Sequence, residues 1–411
     1  MVERKQVVIA GAGPVGMVAA LKLAQAGLDV TIYEEGDDLS VDSKASTFHI
    51  PTLELCDELG VIDEMLEQGL KVPLFQQRDR KGGVVIAELD LTLLKDETKY
   101  PYRLQLEQSK FTRILRPHLE KLPNAHMVFG NRLASAEDHG DYAVAILGDG
   151  TRVECDWLIG CDGSNSMVRR SFGFEFPGET FPERFLVMST TFEFRDVMTD
   201  LAEVAYITDP DEWMVLLKTP DHWRCLMAVP PTEADDVAVS NERIQQRLNG
   251  VLADVGHPPV DFPLIGESLY RVNQRVAKNF AINRILLAGD SAHMNNPLGG
   301  FGMNSGVHDA WSACDVVEAV ELHGADAQKA AQIHGVVRSE VCHSYVQANT
   351  KKNFKDMQEK DEDARQARNA MLSALQSDLD AQRAYLRQTS MLTSAHEAIA
   401  RVQNELAALT S

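Results

Sequence analysis

VVIAGAGPVGMVAALKLAQAGLDVTIYEE, residues 7–35, decides the fold. Its apolar opening reads as a buried strand, GAGPVG as a tight turn, MVAALKLAQA as an amphipathic helix that Gly27 stops, and DVTIYEE as a second strand. That order is one βαβ unit. Gly11, Gly13 and Gly16 form GxGxxG, and Glu34 ends the next strand 18 residues beyond Gly16. Gly11 permits the turn, Gly13 leaves room for a pyrophosphate, and Gly16 lets the helix sit close to the strands. The helix N-terminus, with Pro14 and Val15 in its first turn, faces the negative charge. Glu34, with Glu35 beside it, can accept hydrogen bonds from ribose hydroxyls. The reading is dinucleotide binding, with FAD and NAD not separated by this turn; tight packing alone is the other use of three such glycines.

Composition sets the outer limits. With 411 residues, 44% hydrophobic and 25% charged, the chain is an ordinary globular protein, and about 150 residues per domain allows two or three domains. Forty Lys and Arg against sixty-one Asp and Glu give a net charge of −21, which disfavours nucleic acid and anionic membranes as partners. The six cysteines include no CxxC and sit mostly in apolar contexts, which suits a reducing, cytoplasmic setting. The twelve histidines form no HxxxH or HExxH pair, so no metal is expected. Glycine turns, Pro14 and Lys22 interrupt the apolar run after Arg4 and Lys5, which is therefore not a signal peptide. No stretch reaches the roughly 20 apolar residues of a membrane span.

Further along, helical pattern recurs at 51–59 and 110–119, and strands at 127–129, 142–147 and 157–160. From Phe185 to Pro230 the texture changes to closely spaced strands, FLVMSTTFEF, EVAYIT, EWMVLLK and WRCLMAVP, which suggests an antiparallel sheet inserted into an α/β frame. The frame returns with ILLAG, followed by a long helix from about Met303 to Leu322. Residues 325–411 contain no proline and read as helices, whose alanine content leaves open pairing with a second copy as a homodimer.

Two more motifs lie in this frame. CDWLIGCDGSNSMVRRSF, residues 155–172, runs a strand into Asp162 and Gly163; alone, Asp162 could simply cap the next helix and Arg169 be a solvated charge. RILLAGDSAHMNNPLGGFGMNSGVHDA, residues 284–310, ends a strand in Gly289 and Asp290 and leads through a glycine loop into a helix. With these three motifs in this order the chain resembles the single-component FAD monooxygenases of the para-hydroxybenzoate hydroxylase type. The resemblance spans most of residues 7–310, and NNPLGGFGMNSGVHDA is its strongest part.

The resemblance implies an α/β protein: a Rossmann-like FAD-binding domain in three parts (1–75, 103–180, 272–324), a substrate domain in two (76–102 and the β-sheet of 181–271), and a helical C-terminal region (325–411). It assigns Asp290 to a ribityl or ribose hydroxyl of FAD, Gln108 to FAD, and Asp162 with Gly163 to both FAD and the nicotinamide cofactor. Gly300 and Gly302 would lie flush against the flavin, and the helix opening near Gly302, Met303 and Asn304 would direct its dipole at the reduced ring. Pro297 would present its carbonyl to flavin or substrate. Lys44 stands where many relatives carry Arg, keeping the charge for phosphate but losing the bidentate fork. His293 is declined as a base.

The implied reaction takes hydride from NADH or NADPH onto FAD, traps O2 as a flavin C4a-hydroperoxide and hydroxylates a small phenolic or hydroxylated heteroaromatic ring. Tyr206, ahead of His222 and Tyr270, is the candidate partner of the phenol; Met214, Leu216, Leu226 and Met227 suggest a pocket wall, of which alternation turns only one face of each strand inward, and Lys218 and Arg224 are candidate carboxylate partners. Baeyer–Villiger or epoxidase activity on the same fold, or a flavin-binding interaction protein, are the alternatives.

Overall fold

The computed structural model describes residues 3–42 and 45–410. Five parallel strands form its first sheet in the order Ile285–Leu287, Arg152–Gly160, Glu3–Ala10, Val30–Tyr33 and Ala125–Val128. An antiparallel extension, Leu133–Asp138 and Ala143–Leu147, joins at Arg152–Gly160, and Ala281–Ile282 flanks the other edge. The first strand shows why VVIA is apolar throughout: Val7 and Ile9 pack into one core and Val8 and Ala10 into another, so both faces are covered. The helices Pro14–Gln25 and Phe301–Glu321 both contribute to the first of these cores.

Gly16 is where these layers touch most closely. A Cβ there would collide with the Gly11 carbonyl oxygen, so no other residue fits the turn as built. Val15 packs next to Gly289 and Gly306, which brings the first motif against the third.

The second sheet has eight strands, in the order His293–Met294, Leu264–Val276, Gly178–Thr190, Trp223–Val229, Met214–Lys218, Val204–Thr208, Leu74–Asp79 and Val84–Asp90. It departs from the antiparallel expectation at one place, where Val204–Thr208 and Leu74–Asp79 run parallel. Those two strands come from distant parts of the chain, so no hairpin imposes their relative direction. A small third sheet sets Arg103–Gln105 between Thr47–Phe48 and Leu70–Val72.

The C-terminal region is helical: Ala327–Val341, a π-helical turn Cys342–Gln347 running into Ala348–Met357, then Glu362–Ala374, Leu379–Thr389 and Leu392–Thr410. Asp326, Asp361 and Asp378 start three of these helices by accepting the N–H groups of Lys329, Ala364 and Ala381 at 2.9, 3.0 and 2.9 Å. Among the described residues no helix is long and apolar enough to cross a membrane.

Candidate active site

The three motifs meet at the C-terminal ends of the parallel strands, the usual place for a ligand in such a sheet. In the first, Glu34 accepts the Ala12 N–H at 2.7 Å and the Gly36 N–H at 3.0 Å, leaving carboxylate lone pairs for a further donor. Glu35 is exposed and pairs with Arg132 at 3.2 Å. The helix Pro14–Gln25 starts at Gly13 without a side-chain cap, so its first N–H groups are open to an anion. A Cβ on Gly13 would meet nothing within 4 Å, so the protein itself has no use for that glycine.

In the second motif Ser166 caps the next helix, accepting the Arg169 N–H at 3.0 Å, and Asp162 accepts the Met167 and Val168 N–H groups at 2.6 and 3.1 Å. The other Asp162 oxygen is buried without a partner, and burial raises the pKa of the carboxyl. Gly163 adopts φ +74° at the loop start. Arg169 is not a solvated charge. It is buried, donating to the Ser291 and Ser164 carbonyls at 3.0 and 2.7 Å and lying over Phe176, so it binds the second motif to the third.

In the third motif Asp290 is exposed. The Pro297 carbonyl accepts the Gly300 N–H at 3.0 Å, closing a turn and leaving it one lone pair. Gly300, at φ +71°, caps a helix that begins at Phe301, two residues before Met303. The open donors of its first turn are therefore on Phe301, Gly302 and Met303. The Asn304 side chain is fully buried, accepts the His49 N–H at 2.9 Å and donates to the Thr47 and Gly300 carbonyls at 2.8 and 2.7 Å. Gln108 opens the helix Gln108–Glu120, its N–H on the Ala45 carbonyl at 3.0 Å. Lys44 lies outside the described residues.

His293 is no base. It is buried, with Nε2 2.7 Å from Asp309, whose other oxygen accepts Arg338 Nε at 2.7 Å. Burial works against its charge, but Cys342 and Asp309 outweigh that and raise its pKa well above the ordinary value.

A cavity opens beside the start of the Phe301–Glu321 helix, where Gly299 and Phe301 share its lining with Phe75, Arg103, Tyr206 and Tyr385. Tyr206 is brought here; His222, Tyr270, Lys218 and Arg224 are not among the lining residues. His222 instead meets Thr219, and Lys218 pairs with Glu193 at 3.1 Å. Alternation divides the candidate wall residues between two faces. Met214, Leu216 and Met227 point away, into a core with Ile244 and Leu248, whereas Leu226 shares the face of Tyr206, Val215 and Phe75.

Arg103, Arg368 and Tyr385 line the cavity without any sequence motif that marks them. They come from a strand and two helices that belong to none of the three motifs; the one local signal is a charged residue inside the short buried strand Arg103–Gln105.

Residues 4–332 match the family described as FAD binding domain. Para-nitrophenol 4-monooxygenase of Pseudomonas sp. (strain WBC-3) is 30% identical over 92% of this chain and 94% of its own. 6-hydroxy-3-succinoylpyridine 3-monooxygenase HspB of Pseudomonas putida (strain DSM 28022 / S16) is 32% identical over 78% of this chain and 81% of its own. The crystal structure of p-nitrophenol 4-monooxygenase PnpA from Pseudomonas putida DLL-E4 superposes with a TM-score of 0.88 at 29% identity, covering 98% of this chain and 99% of that one.

Proposed function

The chain belongs to the FAD binding domain family and is an FAD-dependent aromatic monooxygenase; from that premise we propose that it hydroxylates a phenolic or hydroxylated heteroaromatic ring, with NADH or NADPH as reductant and O2 as oxygen source. One observation carries the reading: Tyr206 shares a cavity with Gly299 and Phe301, at the opening of the helix that follows the third motif.

FAD suits the residues present. The open first turn after Gly13, the space beside that glycine and the unpartnered Asp162 oxygen are groups that the protein leaves unused. Gly11, Gly13, Pro14, Val15 and Gly16 would hold the pyrophosphate, Glu34 and Asp290 sugar or ribityl hydroxyls, and Gln108, Asp162 and Gly163 the remaining polar edge. When bound, FAD supplies hydride acceptance and oxygen activation. The N–H groups of Phe301, Gly302 and Met303 stabilise negative charge beside the helix start. Tyr206 holds the oxygen of the substrate ring, favouring its electron-rich form. Phe75, Phe301 and the C-terminal helices keep water from the reacting atoms. The described cysteines are all free, which supports a cytoplasmic setting.

The test is aerobic NADH and NADPH consumption by the FAD-loaded protein across phenols, hydroxypyridines and hydroxyquinolines, with peroxide and oxygenated product measured together. Product matching reductant consumption for one ring class is expected. Oxidation of neither nicotinamide with any ring overturns the reading. A companion variant, Gly13→Val, should melt like the flavin-free parent and lose flavin absorbance; parental flavin occupancy would contradict the assigned phosphate place.

A further inference from the structure

Arg103 occupies the middle strand of the small sheet and is 3% exposed. Its guanidinium lies 3.9 Å over the Phe75 ring, and Nη1 donates to the Tyr206 hydroxyl at 3.3 Å. Nε is buried with no acceptor, and among the described residues no carboxylate forms an ion pair with it. The titratable groups near Arg103 on the neighbouring elements are His49, Tyr206, Tyr345 and Tyr385. Burial, and then the charge of Arg103, lower the His49 pKa to about 3, so that ring is neutral. None of these four groups is a carboxylate.

The wider cavity has the same sign. Its lining carries Arg103, Arg368 and Lys352 against Asp356, which already pairs with Lys352. In a chain with 21 more acidic than basic side chains, a net cationic cavity is a local exception. Tyr206 adds direction: its oxygen accepts from Arg103, so its own proton is free to donate to a ligand.

We propose that Arg103, together with the Tyr206 hydroxyl, is the receptor for an anionic oxygen of the aromatic substrate, selecting rings that enter as oxyanions over neutral isosteres. The inference rests on reading this cavity as the ring-binding site. The oxyanion has two possible sources, the ring phenolate itself or a carboxylate substituent, and both offer the charge that a buried guanidinium lacks here.

The experiment measures binding, not turnover. FAD-loaded protein is titrated with para-nitrophenol, benzoate and the neutral para-nitroanisole, and the visible phenolate band of para-nitrophenol reports its ionisation in the pocket. The parent should bind an oxyanion more tightly than nitroanisole. Arg103→Gln should weaken that binding by about tenfold or more, as expected for loss of a charge-assisted hydrogen bond, and Arg103→Lys should restore part of it. Nitroanisole should bind all three proteins alike, which reports an intact pocket. Loss confined to para-nitrophenol, with its bound ionisation reverting towards the free value, makes the phenolate the source; loss confined to benzoate makes it a carboxylate. Equal binding of every ligand by Arg103→Gln and parent overturns the inference, as does a parent that prefers nitroanisole. Product formation with unchanged oxyanion binding in Arg103→Gln would break this inference and leave the hydroxylase reading standing; arginine-dependent oxyanion binding without product formation would do the reverse.

Discussion

Arg338 and Arg103 are buried to nearly the same depth, 1% and 3% exposed, yet their surroundings are opposite. Arg338 ends on Asp309, which also holds His293 and accepts the Gly289 N–H at 3.1 Å. That network ties the start of the third motif to the long helix and to the C-terminal region, and both of its cations share the Asp309 carboxylate as counter-charge. Arg103 ends on a tyrosine hydroxyl and an aromatic face. The difference teaches how to read buried charge: a compensated cation holds the fold, whereas an uncompensated one beside a cavity is kept for something that is not part of the chain.

The sharpest way to break this contrast is Asp309→Ala, which leaves Arg338 and His293 buried without a counter-charge. A loss of about 3–5 kcal/mol is expected, read from the urea midpoint at unchanged slope. A loss under about 1 kcal/mol would mean that the network is not what separates the two regions. Arg103→Met is the mirror experiment. It removes a cation with nothing to compensate it, so stability should stay within about 1 kcal/mol of the parent or rise. A large loss would show that Arg103 holds the fold as Arg338 does.

The smallest effect is expected at an exposed pair, where solvent does most of the compensating. His396 lies 2.7 Å from Glu54, half exposed, and the hydrogen bond to Glu54 raises its pKa. A raised histidine contributes fully below its unfolded value and loses that contribution as pH rises through the folded one. His396→Gln should therefore lower Tm by no more than about 2 °C near pH 5.5, with the gap closing by about pH 8. A gap that grows towards alkaline pH would reverse the sign of this linkage.

Much of the frame was legible because its signals are local. Gly11, Gly13 and Gly16 sit in one turn, and the helix after Gly300 follows a loop that its own glycines shape. The Asn304 side chain locks the helix start to Thr47 and His49, which spacing does not show because they arrive from more than 250 residues away. The wall residues show the same limit. Alternation in MVLLK and WRCLMAV marks two faces on each strand, but the helix Asn241–Asp254 takes the face with Met214 and Met227, and a second core, with Phe75 and Tyr206, takes the one with Leu226.

The order of strands, turns and helices, and the dinucleotide turn among them, follows from residues a few positions apart, since backbone preference and side-chain period are local properties. The sign of the cavity is not local. Arg103, Tyr206, Arg368 and Tyr385 come from four separated elements, and whether a buried guanidinium meets a carboxylate or a phenol depends on which of them pack together. Spacing along the chain carries no record of that, because the energy of a buried charge is set by its neighbours in space.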